Sequence, residues 1–243
     1  MRKEIYLGLL VLGILIIGYF IINSGPSVSA QGSSVLKVKP DLVSVYITVE
    51  TSNTTAILAQ DANQEISDKL LYELVRIGFD KDELEFVGYN VYPEYDRYDY
   101  TKIKGYHVYQ QLVVKTNETS KVPGIVDSAI NSGALVSYIN FELSEKKQNE
   151  YKIQALEEAS RDAKLKAQGI AVGQGKKLGK LVSLGNQDYQ YRGPIAMYSK
   201  VSASGAEDMA VSNAQAKEVA MDLNPQDTEV SANINAVYRL RLF

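Results

Sequence analysis

The clearest signal in the chain is a two-residue alternation. Val43, Val45, Ile47 and Val49 alternate with Ser44, Tyr46, Thr48 and Glu50, the pattern of a strand with one buried face. Leu135, Ser137, Ile139, Phe141 and Leu143 repeat it. So does the C-terminal stretch, where Ile234, Ala236, Tyr238, Leu240 and Leu242 alternate with Asn233, Asn235, Val237, Arg239 and Arg241. Leu84–Tyr95 and Gly105–Thr116 read as two more strands, and the charged, Tyr-rich segment between them predicts a hairpin. A further strand is predicted near 178–187.

Between these stretches the period lengthens to that of a helix. Ala62, Ile66, Leu70, Leu74 and Ile77 fall on one face of a helix that Thr54 or Thr55 caps and Gly78 stops. A shorter helix runs from about Val122 to Asn131 and ends at Gly133. Ser144 opens a long one, 145 to about 172. The order β-α-β-β-α-β predicts an α+β fold: an antiparallel sheet with helices on one face, extended by the added long helix and C-terminal strands. Along the long helix Ala155, Ala159, Ala163, Ala167 and Ala171 recur every fourth residue. Such a stripe winds only about 40° per step. It predicts a helix lying very close to a twisted sheet or to another helix.

The N-terminus has neither period. Ile5–Ile22 carries no charge, and as a helix it would span roughly 27 Å, near the ~30 Å hydrocarbon core of a bilayer. Arg2 and Lys3 precede it, so a membrane anchor at residues 1–22 would keep the N-terminus in the cytoplasm and send the rest outside. The alternative is secretion after cleavage near Ala30, at Val28-Ser29-Ala30. Against it, the apolar run exceeds the ~7–15 residues of a signal-peptide core. Residues 23–34 read as a Ser/Gly/Pro linker, 35–243 as the folded domain, and 187–226 as a flexible excursion with a helical piece near Ala206–Met221.

Composition narrows the chemistry. The 243 residues are 45% hydrophobic and 23% charged, enough for one domain or two small ones. There is no Cys and one His, which excludes disulfides, thiolate sites and multi-histidine metal centres. A net charge of −3 argues against nucleic acid as a partner, and an acidic exterior leaves the apolar helix as the lipid contact. Asn53-Thr54-Thr55 and Asn117-Glu118-Thr119 match the glycosylation sequon, at a frequency near chance.

Candidate catalytic motifs have plainer structural explanations. His107 stands at the start of a strand, without the Gly-x-Ser-x-Gly elbow of a hydrolase anywhere in the chain. Ser144-Glu145-Lys146-Lys147 matches Ser-x-x-Lys, but Ser144 sits where a helix needs a cap and the companion motifs are missing. Gly173-Gln174-Gly175-Lys176-Lys177 lacks P-loop spacing and reads as a helix C-terminus. No catalytic, cofactor or metal residue is assigned. The distinctive segment is the hairpin tip. Tyr89, Tyr92, Tyr95 and Tyr98 are spaced by three, so on a strand they alternate faces and some must be exposed. Exposed Tyr is an interface residue type, which makes Tyr92, Glu94, Tyr95, Asp96, Tyr98 and Tyr100 a candidate protein-contact surface. The other readings are a plain hairpin tip, or a cation site using Glu94, Asp96 and Asp99, which supply too few oxygens for calcium.

These pieces, in order, resemble the SIMPL-domain family, also called DUF541. The resemblance rests on Val38-Lys39-Pro40-Asp41 before the first strand, Thr55-Ala56 at the helix start, and Gly88-Tyr89 and Gly105-Tyr106 around the hairpin. It continues through the alanine helix ending in Ala171, Leu178-Gly179-Lys180-Leu181, and Asn224-Pro225 with Val230-Ser231-Ala232. It covers about 35–243. It implies an exported or anchored α+β domain that tends to self-associate and, in some members, serves oxidative-stress protection. It carries over no catalytic residue. The expectation is a non-enzymatic, membrane-anchored extracytoplasmic domain that forms a homo-oligomer or binds an envelope partner. The alternatives are an extracytoplasmic hydrolase or a small-molecule or cation binding protein.

Overall fold

The structure, a computed structural model, describes residues 13, 25–80, 83–193, 195–199 and 206–241. The expected anchor at 5–22 lies, Gly13 apart, outside the described residues. Among the described residues no helix is long and apolar enough to cross a membrane. The chain divides into two compact units, each built on its own sheet. The mixed helix-and-sheet class stands, but the single sheet expected from the alternations is two.

The larger unit comprises 38–147 and 192–228. It contains β2 (Leu42–Asn53), α1 (Ala56–Arg76), β3 (Leu84–Tyr95), β4 (Ile103–Thr116), α2 (Val122–Ser132), β5 (Leu135–Glu142), β7 (Ile195–Ser199) and α4 (Ala206–Met221). Its five strands run in the order β3-β4-β2-β5-β7, every neighbouring pair antiparallel. Val43, Val45, Ile47 and Val49 are all buried, as their alternation requires, against Leu70 and Leu74 of α1 and Ile125, Val126 and Ala129 of α2. Ala216 and Ala220 of α4 join the same core. So the 187–226 excursion is largely built into sheet and helix: two small residues every fourth position bury a helix face without aliphatic bulk.

Local chemistry sets the element ends. The Thr55 side chain accepts from Leu58 N at 3.3 Å and caps α1, while Gly78 and Gly133, at φ 91° and 89°, turn the chain where α1 and α2 stop. The buried face of α1 differs from the predicted one. Ala59, Asn63, Ser67, Leu70 and Leu74 lie deepest, with Ala62, Ile66 and Ile77 only partly buried. The sheet supplies partners to both buried polar residues: Asn63 Nδ2 donates to Val49 O at 3.0 Å and Ser67 Oγ to Gln110 Oε1 at 2.7 Å, while Asn63 Oδ1 has no partner among the described residues.

The smaller unit contains β1 (Ser27–Val38), α3 (Glu145–Gly173), β6 (Lys177–Tyr191) and β8 (Thr228–Arg241), with strands in the order β1-β8-β6. The predicted linker at 23–34 is corrected here: from Ser27 on it is a strand. Its inward positions are Val28, Ala30, Gly32 and Ser34, all buried. They meet the alanine stripe of α3, whose five alanines have no exposed surface. Ser34 Oγ donates to Ala155 O at 2.7 Å, and Val28, Ala30, Ala163, Ala167, Ala236 and Tyr238 form one core cluster. Asp41 accepts from Ser144 N at 2.8 Å and from Ser144 Oγ at 2.7 Å, and Ser144 Oγ in turn accepts from Lys147 N, so the predicted cap is real and is itself held.

Candidate functional site

Among the described residues β3 is an edge strand, bonded to β4 on one side only. An edge of this length presents unpaired N–H and C=O groups to any extended partner. Natural edges are usually blunted by charge, proline or a bulge. Here a register break lies between Phe86 and Gly88, and Pro93 withholds one N–H, but the strand is otherwise rich in large apolar side chains. Phe86, Val87, Tyr89, Val91, Tyr92 and Tyr95 are all exposed.

The register sorts their faces. Phe86, Tyr89 and Val91 stand opposite Leu112, Gln110 and Val108, on the side that carries α1. Tyr92 stands opposite His107 on the other side, and Glu94 lies on that side too. There the ring of Tyr92 stacks on the imidazole of His107, with centroids 5.5 Å apart and planes 15° apart. Glu94 Oε2 lies 3.0 Å from His107 Nε2, and Glu94 Oε1 accepts from Lys104 Nζ at 3.3 Å. An ionised carboxylate can only accept, so Nε2 carries a proton. The hydrogen bond from His107, then that from Lys104, holds the Glu94 carboxyl below its usual range.

The tip holds itself. Asp96 Oδ1 accepts from Tyr98 N at 2.8 Å and from Asp99 N at 3.2 Å, and Asp99 Oδ1 accepts from Thr101 N and Oγ1. These Asx bonds spend the carboxylates on the turn. Thus the structure brings Tyr92, Glu94 and His107 together, places Tyr95 at the strand end opposite Ile103, and sets Asp96 as a turn acceptor. Tyr98 and Tyr100, at 93% and 77% exposed, are separate from that group. Among the described residues no three His, Cys, Asp or Glu side chains gather as metal ligands.

Sequence reasoning missed Phe86, Val87 and Val91, and named Tyr89 among the spaced tyrosines without placing it in the contact surface, because a strand's edge position leaves no local mark. It also missed Lys104 as the second partner of Glu94. The facing polar cluster farther along the sheet is structural. Ser44 hydrogen-bonds Glu142 and is fully buried, Thr48 and Ser137 hydroxyls lie 2.6 Å apart, and Tyr46 stacks on Tyr138 at 4.0 Å. In the smaller unit an open groove of about 480 Å³ is lined by Leu156, Glu157 and Arg161 of α3, Leu184 of β6 and Ile234 of β8.

The architecture is that of a mixed helix-and-sheet protein whose most distinctive surface is an aromatic edge hairpin. The model of one family, SIMPL, described as a protein of unknown function (DUF541), matches residues 28–238, and the chain belongs to that family. It is 25% identical over 165 residues to the uncharacterized protein YggE of Edwardsiella ictaluri, covering 67% of this chain and 69% of that one. It is 27% identical over 159 residues to the 26 kDa periplasmic immunogenic protein of Brucella melitensis, covering 61% of this chain and 63% of that one. The matched region begins within β1, in agreement with the structure that Ser27–Val38 belongs to the fold.

Proposed function

We propose that the chain is a non-enzymatic, membrane-anchored extracytoplasmic domain that self-associates, or binds an envelope protein, through the exposed edge of β3 and the tyrosines at the hairpin tip. The observation that carries this reading is the edge itself: twelve residues long, unpaired on one side among the described residues, and lined by aromatic and aliphatic side chains that water alone would not favour. Main-chain pairing would supply affinity and the alternate side chains specificity.

Two facts support the exterior placement. Arg2 and Lys3 precede the uncharged run 5–22, and one relative is named as periplasmic. The non-enzymatic reading is supported by the setting of the polar groups. Glu94 and His107 are each other's partners on an open strand face, and Ser44 is buried and engaged by Glu142. Stress protection, implied by the family resemblance, would be a consequence of that docking. Peroxide sensitivity of cells lacking the chain tests it.

The direct test is analytical ultracentrifugation of residues 25–243, which keep β1 whole together with the Gly25 and Pro26 carbonyls that accept from Arg239 and Leu240. Concentration-dependent association that Tyr89→Lys with Val91→Lys abolishes is the expected result. A strict monomer at high concentration, with no envelope protein captured by cross-linking at the hairpin, would overturn the proposal.

A further inference from the structure

We propose that the outer half of the β3–β4 hairpin is a proton-operated clasp: charging His107 tightens its hold on Glu94 and Tyr92 and orders the hairpin end that carries the exposed tyrosines. The chain has one histidine and no cysteine. Imidazole is therefore its only side-chain type whose charge ordinarily changes between about pH 5 and 8. That one imidazole is placed where the hairpin leaves the sheet body, opposite Tyr92 of β3 on one flank and Ser52 of β2 on the other.

Charged and aromatic groups surround it. From β3 come Glu94, at 3.0 Å, and the stacked ring of Tyr92. From β2 comes Glu50, one pair along on the same face, and from β4 Tyr109 on that face and Lys104, which shares Glu94. Two carboxylates thus face one ammonium. Glu94 is ionised, so protonation turns a hydrogen bond with one charged partner into an ion pair and adds Coulomb attraction. It also lays a cation against the face of Tyr92. Both changes act between β3 and β4 at the outer end of the hairpin. Glu94 is already ionised across this range, because His107 and Lys104 depress its proton affinity. The clasp is a property of the hairpin and does not rest on what the tyrosines dock. If they dock protein, the docking tightens in acid.

Amide hydrogen exchange decides the matter. The full chain in detergent micelles is measured at pH 7.5 and 5.5, with rates corrected for the intrinsic pH dependence of exchange. Residues 92–107 should be about two- to fivefold better protected at the lower pH, the scale of a solvent-exposed ion pair. His107→Gln and Glu94→Gln should each remove that difference while α2 and β5 keep wild-type protection. Equal protection of the wild-type hairpin at the two pH values, or an unchanged response in His107→Gln, would overturn the clasp. Association through β3 that persists with no pH dependence would leave the docking proposal standing and sink this one.

Discussion

A Cβ atom built on Gly32 would stand 1.9 Å from the carbonyl oxygen of Ala159 and 2.8 Å from the Cβ of Ala163. Strand β1 and helix α3 therefore touch backbone to backbone, and no larger residue fits at the crossing. Gly32→Ala should destabilise the protein by at least the ~1–3 kcal/mol typical of overpacking, and Ala163→Leu by a similar amount. Urea denaturation followed by circular dichroism checks both. A loss near zero for either would show that the contact is looser than described.

The same contact bears on processing. Val28 and Ala30 are buried against the alanine helix, and Leu240 N donates to Pro26 O. A chain beginning at residue 31 loses those side chains and that bond. It should melt well below a chain beginning at residue 25, having lost about 2 kcal/mol or more of stability from apolar burial alone. Thermal melts of the two chains, side by side, make the comparison.

Asn63 is buried in the helix face that covers the five-stranded sheet, and its amide bonds Val49 O. Asn63→Ala leaves that carbonyl without its side-chain donor and opens a small void. The expected cost is about 1–3 kcal/mol. Ser67→Ala, which removes only one hydroxyl donor to Gln110, should cost about 1 kcal/mol. Chemical denaturation of the two variants gives the ranking, and equal costs would contradict it.

Acid should weaken the fold through identifiable carboxylates. Glu94, held by His107 and Lys104, Asp99, held by Thr101, and Asp162, held by Lys166 and Ser33 N, all have depressed proton affinity. Their contribution is present above the unfolded carboxylate values, 4.5 for Glu and 3.8 for Asp, and disappears as pH falls through the lower folded ones. Asp162→Asn should therefore flatten the fall in unfolding free energy below about pH 4 while leaving the slope above pH 5 unchanged. Denaturation curves collected across that range report the slope.

Tyr98 and Tyr100 protrude from a turn held by the Asp96 and Asp99 side chains and by backbone bonds from Asp96 N to Lys102 O and from Lys102 N to Asp99 O. Replacing both with Ser should leave stability within about 0.5 kcal/mol of wild type. If the tip contributes to docking, the double variant should weaken association about tenfold, as loss of interface aromatics commonly does. Sedimentation equilibrium and a thermal melt on the same sample separate the two effects.

The sequence by itself determined the elements whose cause is local. Alternation over Val43–Val49 and Asn233–Leu242 specifies strands because side chains on a strand point to opposite faces. Thr55, Gly78, Gly133 and Ser144 mark helix ends because a cap hydroxyl or a left-handed glycine acts within a few residues. The order of elements also carried the family. Tertiary structure alone decided three things. It split the strands into two sheets, since alternation does not say which neighbour a strand will pair with. It made a strand of Ser27–Val38, whose small inward residues gain burial only by close approach to the Ala159–Ala163 backbone. And it left β3 at an edge, so that the same alternating residues that would fill a core in a central strand stand exposed instead, with His107 and Glu94 joined across a hairpin register that no local pattern encodes.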